Sequence, residues 1–214
     1  MDTNIGAKER VTQNRLIGLF KNVLKYTYLG NWETREGNAN IEETLLTAYL
    51  SRRGYTDKEI RSAIAKFKQA ANSLGGGLYN ANKEVYTLLR YGVNVQAEVT
   101  EKKKMVHLID WANPMENDFQ IAEEVTIQGE SDRRPDLVVY VNGIALAVIE
   151  LKRSTVSAHE GIRQNIRNQQ DGYIPRFFTT IQLLFAGNDT EGLHYGVIKT
   201  PEKFWLRWKE PCGE

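Results

Sequence analysis

Apolar residues at helical spacing dominate the first half of the chain. Side chains three to four positions apart share one face of a helix, and this spacing recurs in residues 15–28, 41–54, 57–73 and 80–92. Glycine ends helices readily, and glycines follow or close the last three of these segments. We predict a docked N-terminal arm, a loop through residue 40, and then three helices.

Beyond Gly92 the pattern changes to the two-residue alternation of a half-buried β-strand. Residues 93–99 alternate in this way, and residues 105–109 form the expected partner strand across a charged turn at residues 101–104. A further strand is predicted at residues 119–127. We therefore expect the sheet to begin at residue 93.

Two apolar runs joined by Asn142-Gly143 form the clearest local signal. Asn-Gly supplies the positive φ angles of a tight hairpin turn between residues 137–141 and 144–151. Because both runs are almost wholly apolar, both faces should be covered, which places the hairpin at the centre of the sheet.

The remaining elements complete an α/β pattern. A helix is predicted over residues 156–172, and strands are predicted at residues 179–185 and 195–198. The element order predicts an α/β fold in which helices pack on a mixed central sheet.

Composition sets limits without selecting a function. Of 214 residues, 28 are basic and 27 acidic, for a net charge of +1, and 41% are hydrophobic. These values are typical of an ordinary globular protein and lack the overall excess of basic residues that is typical of a nucleic-acid-binding protein. Local basic pairs such as Arg133-Arg134 are still able to face phosphate groups.

Several classes of protein are disfavoured. The single cysteine, Cys212, excludes an internal disulfide and a cysteine-based zinc site. No apolar run has the length of a membrane span, and the first residues lack the apolar core of a signal peptide. We expect a cytoplasmic protein with no membrane partner.

Two carboxylates are predicted to meet at the open end of the hairpin. Asp136 precedes the first strand, and Glu150 ends the second, followed by Leu151 and Lys152. A turn at residues 142–143 makes the two acids near cross-strand neighbours. Lys152 lies on the same side as Glu150, because side chains alternate along a strand. Facing carboxylates repel unless a cation joins them, and oxygen ligands favour Mg²⁺, or Mn²⁺, over zinc.

Such a set suits phosphodiester hydrolysis. In this hypothesis the two acids hold the metal, the carbonyl oxygen of Leu151 completes its shell, and Lys152 offsets the charge of the transition state. Gln169 follows Ile166 of the predicted helix by three residues, and Tyr173 follows Gln169 by four, which places both on the sheet-facing side of that helix. We expect both to line the site and contact DNA.

A second acid-x-Lys triplet, Glu101-Lys102-Lys103, serves as an internal comparison. It lacks an upstream Pro-Asp and lies in a polar turn, which is typical of solvated charge. Pro-Asp occurs once, at residues 135–136. Spacing alone still leaves open whether the acids at 136 and 150 form a metal site or a salt bridge at the strand edge.

Several ordered blocks of sequence resemble the N-terminal nuclease domain of type I restriction enzyme R subunits. The run RRPDLVVYVNGIALAVIELKRS resembles the nuclease motif of that family, and VHLIDWANPMENDFQIAEEVTI precedes it. NKEVYTLLRYGV upstream and QNIRNQQDGYIPRFF downstream are also similar, the latter holding the Gln-x-x-x-Tyr element as Gln169 and Tyr173. The resemblance covers about residues 41–198.

The resemblance implies a restriction-endonuclease-like core of the PD-(D/E)xK superfamily, with a catalytic antiparallel hairpin in a mixed sheet flanked by helices. This nuclease domain would occupy residues 41–200, after an arm and loop at residues 1–40 and before the start of a linker at residues 201–214. Asp136, Glu150 and Lys152 match the catalytic acid, acid and lysine. A glutamate on the first core helix joins this site in many members, which makes Glu42 or Glu43 a further candidate metal ligand, with Glu42 preferred.

The implied function is Mg²⁺-dependent cleavage of unmodified foreign double-stranded DNA, with modification and specificity subunits as partners. Members of the family also carry two ATP-driven helicase-like domains. Neither G-x-x-x-x-G-K-[ST] nor Asp-Glu-x-His occurs in the 214 residues, so ATP is expected to act only through domains outside this chain. Three alternatives remain: another nuclease of the superfamily, an RNA-directed nuclease, and a non-catalytic DNA-holding or subunit-docking module.

Overall fold

The computed structural model describes residues 5–96 and 102–209. In these ranges the α-helices are α1 (Ile5–Gly18), α2 (Glu43–Arg52), α3 (Asp57–Asn72), α4 (Leu78–Tyr91) and α5 (Ala158–Asn168). The strands are β1 (Thr27–Asn31), β2 (Val93–Val95), β3 (Lys104–Val106), β4 (Phe119–Glu123), β5 (Leu137–Val141), β6 (Ile144–Leu151), β7 (Leu183–Asn188), β8 (Gly192–Gly196) and β9 (Leu206–Arg207). No helix in the described ranges has the length and apolar character needed to cross a membrane.

Seven of these strands form one mixed sheet in the order β1-β4-β5-β6-β7-β8-β9. β1 and β4 are parallel, as are β6 and β7, and the other neighbours are antiparallel. The β5–β6 hairpin lies in the middle, and its turn residues Asn142 and Gly143 have φ angles of 54° and 79°. The predicted central hairpin and its positive-φ turn are confirmed.

Alternate residues of the hairpin pack into opposite layers. Val138 of β5 belongs to the hydrophobic cluster that contains Ile162 of α5. The neighbouring Leu137 belongs to the cluster that contains Ile17 of α1. Helices α5 and α1 therefore cover opposite faces of the sheet. Because side chains alternate along a strand, Asp136, Glu150 and Lys152 lie on the face that α5 covers.

Helices α2, α3 and α4 build a separate core at the turn end of the hairpin. Leu46, Phe67 and Val85 are fully buried there together with Ile144 of β6. The start of α3 is secured by a capping box, in which Thr56 and the residue three positions later exchange hydrogen bonds between side chain and backbone. All three predicted helices are confirmed, and their ends lie within two residues of the predicted ones.

The N-terminal segment differs from its prediction. The helix begins much earlier, at Ile5, and passes into a π-helical turn at Leu19–Val23. Tyr28, predicted to be helical, belongs to β1 and pairs with Ile121 of β4. The prediction of a helix over residues 15–28 is therefore wrong in its second half, because pairing with a distant strand overrides the local apolar spacing.

The predicted start of the sheet is also corrected. β2 and β3 pair with each other in a separate two-stranded sheet, so the main sheet does not begin at residue 93. The predicted extension of this strand over residues 97–99, and residue 101 of its turn, lie outside the described residues.

The late strands are displaced along the chain from their predicted positions. A 3₁₀ turn at Phe177–Thr179 occupies the start of the first predicted strand, and β7 begins only at Leu183. β8 ends at Gly196, before the predicted end at residue 198. The apolar residues in the predicted strand at 179–185 are compatible with a buried turn as well as with a strand, so their pattern does not distinguish the two.

Candidate active site

The open end of the central hairpin brings Asp136 and Glu150 together. Leu137 pairs with Ile149, so the next pair outward consists of the two acids. Oδ2 of Asp136 accepts a hydrogen bond of 2.6 Å from the backbone N–H of Leu151. The register of the hairpin alone thus places the two carboxylates side by side.

The surroundings of both acids disfavour negative charge. Glu150 is fully buried, and its Oε1 has no hydrogen-bond partner among the described residues. Burial raises the pKa of Glu150 well above its ordinary value, and the carboxylate of Asp136 raises it further. Burial also raises the pKa of Asp136 to about 6. Without a cation, the two acids therefore bind protons more readily than ordinary carboxyl groups do.

Lys152 stands beside the acids on the same face of β6. Its Nζ donates a hydrogen bond of 3.0 Å to the carbonyl oxygen of Leu151. Burial dominates the raised pKa of both acids, and the positive charge of Lys152 opposes that effect in each case. An ammonium group is therefore close enough to influence any charge held at this end of the hairpin.

Helix α5 supplies a side chain that the sequence analysis missed. Nε2 of Gln164 donates a hydrogen bond of 2.7 Å to Oε2 of Glu150. Gly161, one turn earlier, permits this close approach, because a Cβ at that position would lie 3.1 Å from Ala186 Cβ and 3.5 Å from Glu150 Cβ. The available signal was the spacing of Gly161, Gln164 and Asn168, which places all three on one helix face.

Gln169 is not brought to the acids, which corrects its predicted place at the site. It is 2% exposed, its Nε2 donates to the carbonyl oxygen of Asn165 at 3.0 Å, and its Oε1 accepts from the backbone N–H of Lys199 at 2.8 Å. Both ends of the amide are thus engaged by the backbone. Residues 169 and 173 do not share a helix face, because α5 ends at Asn168.

Tyr173 lies in the loop after α5. The guanidinium carbon of Arg133 lies 4.3 Å from the centroid of its ring, a cation–π contact. Arg133 comes three residues before Asp136 in the chain. Through this arginine, Tyr173 contacts the segment that leads into the first strand of the hairpin.

Glu42 lies at the opposite end of the hairpin, and its expected place among the metal ligands is corrected. Its backbone N–H donates to the carbonyl oxygen of Gly143 at 2.8 Å. Its carboxylate pairs with Arg35 at 2.6 Å and accepts from the backbone N–H of Ala39 at 3.1 Å. The five residues of β5 separate the two ends by about 17 Å, so Glu42 does not reach Asp136.

Helix α1 brings a different glutamate toward the acids. Burial is the largest cause of the raised pKa of Asp136 and Glu150, and the charge of Glu9 adds to it in both. Gln13 of the same helix is buried and donates to Oε2 of Glu123 at 3.1 Å and to the carbonyl oxygen of Asp136 at 3.3 Å. Spacing did not single out Glu9, because its position depends on how α1 docks on the sheet.

The donor set fits a hard divalent cation. A buried carboxylate oxygen of Glu150 lacks a protein partner within the described ranges, and a second carboxylate lies beside it. Oxygen ligands of this kind suit Mg²⁺, and a cation would offset their repulsion. Over the same ranges no three His, Cys, Asp or Glu side chains form a metal-binding group. The protein side-chain ligands would therefore be Asp136 and Glu150, with the carbonyl oxygen of Leu151 adjacent.

Comparison with known proteins identifies relatives along nearly the whole chain. The chain is 27% identical over 217 aligned residues to the putative type I restriction enzyme MjaIXP endonuclease subunit of Methanocaldococcus jannaschii, an alignment covering 94% of this chain and 20% of that protein. It is 30% identical over 133 residues to the type I restriction enzyme SsaAORF53P endonuclease subunit of Staphylococcus saprophyticus, covering 62% and 13%. It is 36% identical over 89 residues to the type I restriction enzyme HindI endonuclease subunit of Haemophilus influenzae, covering 40% and 8%.

The chain thus spans a fifth or less of the length of these relatives. The model of the family described as type I restriction enzyme R protein N terminus matches residues 6–203. This match includes α1, the central hairpin and α5, the elements that assemble the acids and their neighbours. The chain belongs to the family of type I restriction enzyme R protein N termini.

Proposed function

We propose that this chain is the DNA-cleaving domain of a type I restriction endonuclease subunit and hydrolyses phosphodiester bonds of double-stranded DNA with Mg²⁺. The observation that carries the proposal is the pair of Asp136 and buried Glu150 beside Lys152. A buried carboxylate oxygen without a partner costs free energy unless a proton or a cation joins it. Such a pair is better explained by a metal-binding role than by a contribution to stability.

Asp136 and Glu150 would hold the Mg²⁺, or Mn²⁺, ion. When bound, such an ion polarises the scissile phosphate and lowers the pKa of a bound water molecule. The backbone N–H of Leu151 orients one oxygen of Asp136, and the amide of Gln164 orients one oxygen of Glu150. Both carboxylates are therefore fixed before substrate arrives.

Lys152 supplies a positive charge on the same face of the hairpin. Its ammonium group is placed to offset the negative charge that develops on the phosphate oxygens and to orient the attacking water. Because their pKa values are raised, each of the two acids holds its proton to higher pH than an ordinary carboxyl group does when no metal is bound. Metal binding would displace this proton, and the affinity for metal would increase with pH.

The relatives support a proposal for the wider role of the subunit. The names of these relatives describe endonuclease subunits of type I restriction enzymes, and this chain spans a fifth or less of their length. We assign cleavage of unmodified foreign DNA to this domain. ATP-driven translocation would belong to other parts of the subunit, and sequence recognition and methylation to specificity and modification partners.

The test uses the complete subunit in its restriction complex and compares Lys152→Ala with Lys103→Ala. Lys103 is an exposed lysine in the other acid-x-Lys triplet, so it is a matched control. We expect Lys152→Ala to reduce Mg²⁺-dependent plasmid cleavage by about 100-fold or more and to leave ATP hydrolysis unchanged. Lys103→Ala should change neither activity.

Cleavage that survives Lys152→Ala would contradict this function and support a non-catalytic DNA-holding or docking module. Parallel assays with RNA test the alternative of an RNA-directed nuclease. Cleavage of RNA in preference to duplex DNA would make the domain an RNA-directed nuclease.

A further inference from the structure

A groove beside the two acids concentrates cationic and amide groups. The residues that line it are Arg133, Lys152, Glu160, Gln164, Arg167 and Asn168. Two of them already belong to the proposed site, since Gln164 contacts Glu150 and Lys152 is the neighbouring cation. The groove is therefore continuous with the site of cleavage.

The charge of this groove is positive although the whole chain carries only +1. Neither Arg133 nor Arg167 forms an ion pair with an acid in the part of the chain that the structure describes; Arg133 donates to the backbone carbonyl of Asp132 at 2.7 Å. Glu160, the acid in the lining, is paired with Arg163 at 2.7 Å. The groove thus presents cations whose charge is not neutralised by nearby carboxylates.

The side-chain amide of Asn168 independently indicates that a polar ligand binds in this groove. It is 1% exposed, yet neither Oδ1 nor Nδ2 has a hydrogen-bond partner among the described residues. A buried amide left unpaired costs about 1–3 kcal/mol. Because Asn168 lines the groove, a ligand oxygen in the groove would supply an acceptor for its N–H groups.

Tyr173 prepares Arg133 for such a ligand. The guanidinium stacks on the tyrosine ring at 4.3 Å from its centroid. Stacking restrains the arginine while the N–H groups that do not contact Asp132 stay available at the guanidinium edge. This planar edge matches two oxygens of a phosphate group. Tyr173 is therefore a positioning residue for Arg133.

We propose that Arg133, Arg167 and Asn168 bind a non-scissile phosphodiester group of the DNA strand that is cut beside Lys152. The inference rests on the proposed nuclease function and deepens it by assigning where the substrate strand continues. Two guanidinium groups and one amide provide several N–H donors for the non-bridging oxygens of one phosphate. Their joint lining of a groove that also contains Lys152 directs the strand along the α5 face of the sheet.

The test measures binding of duplex DNA by this 214-residue chain without divalent metal, by fluorescence anisotropy at increasing salt. Each phosphate that a protein cation neutralises adds about one to the slope of log Kobs against log salt. We expect the double variant Arg133→Gln/Arg167→Gln to have a shallower slope than the wild type. The charge-retaining Arg133→Lys/Arg167→Lys should keep the wild-type slope.

The matched control is Arg61→Gln/Arg90→Gln, which removes the same charge from exposed positions on α3 and α4. We expect its slope to equal that of the wild type. Asn168→Asp places a carboxylate against the phosphate and should weaken binding by roughly tenfold or more. Far-UV circular dichroism and thermal unfolding identify any variant that has lost its fold. The variants that keep their fold then decide whether the phosphate site exists.

An unchanged slope in Arg133→Gln/Arg167→Gln, or an equal decrease in the control pair, would overturn the phosphate site. Lack of any duplex affinity of the wild-type chain at low salt would overturn it as well. The cleavage assay with Lys152→Ala separates this failure from failure of the nuclease function. Cleavage that requires Lys152, combined with an unchanged slope, removes the phosphate site alone.

Discussion

Gln164 of α5 and Glu150 of β6 are joined by a hydrogen bond of 2.7 Å between Nε2 and Oε2. The amide occupies one oxygen of the carboxylate, while Oε1 stays without a partner among the described residues. One oxygen is thereby oriented by the protein, and the other is left for a proton or a cation. Metal affinity should consequently depend on a residue that is not itself a metal ligand.

Gln164→Ala is expected to lower the affinity for Mg²⁺ by about 10–100-fold, since loss of a residue that orients a ligand typically has an effect of this size. Isothermal titration calorimetry of the chain measures this affinity. Gln170→Ala, at an exposed glutamine just beyond α5, is the matched control and should bind as the wild type does. Equal affinities for the two variants, with the fold intact, would show that Gln164 does not orient Glu150.

The contribution of Asp136 to the stability of the metal-free chain should decrease as pH rises from about 4 to about 6. Burial raises the pKa of Asp136 from 3.8 to about 6, so in this window the folded state binds more protons than the unfolded state. The stabilising contribution of this proton is fully present below the unfolded pKa and is lost as pH rises through the folded pKa. Urea unfolding in a chelator at a series of pH values measures the effect.

Asp136→Asn should lessen this pH dependence. At neutral pH it should increase the free energy of unfolding by on the order of 3 kcal/mol, because the pKa shift from 3.8 to about 6 corresponds to about 1.4 kcal/mol for each unit. Asp171→Asn, at an exposed position, should behave as the wild type. A pH profile for Asp136→Asn that coincides with the wild-type profile would contradict the raised pKa.

Glu42→Gln separates a structural acid from the proposed metal ligands. The carboxylate of Glu42 accepts from Arg35 and from the backbone N–H of Ala39, so its neutralisation should lower the free energy of unfolding by about 1–3 kcal/mol. Its Mg²⁺ affinity should equal that of the wild type, whereas Glu150→Gln should lose most of its affinity. A similar loss in both variants would place Glu42 at the metal after all.

Gly143→Ala tests the packing of α2 on the hairpin turn. Gly143 has a φ of 79°, and an added Cβ would lie 2.6 Å from Leu45 Cβ and 2.8 Å from the carbonyl oxygen of Glu42. Gly37 has a similar φ of 72° but open space around it. Gly37→Ala should therefore cost about 1–2 kcal/mol from backbone strain alone, and Gly143→Ala clearly more. Equal losses in chemical denaturation would contradict the packing argument.

Local pattern was enough to predict the part of the site that lies on one hairpin. Asn142 and Gly143 adopt the positive φ angles that their types favour. Once this turn is placed, the pairing of two adjacent strands leaves little freedom, and Asp136 meets Glu150 as expected. Helices α2 to α4 were predicted equally well, because their apolar spacing, glycine stops and capping residues act within each helix.

Spacing could not predict which side chains other elements bring to that hairpin. Gln169 was proposed because the end of α5 was placed too late, whereas the docking of α5 through Gly161 brings Gln164 to Glu150. Glu42 was proposed from the family resemblance, and the approach of Glu9 to the acids depends on how α1 docks on the sheet, which the sequence of α1 does not specify by itself.

Local patterns in the sequence were therefore sufficient to predict the central hairpin, its pair of acids with Lys152, and helices α2 to α4. The positions of Gln164, Glu9 and Glu42, the pairing of β1 with β4, and the groove next to Lys152 depend on contacts between distant elements. The physical reason is that spacing specifies which residues share a face of one element. Which faces meet is decided by burial and pairing between segments far apart in the chain.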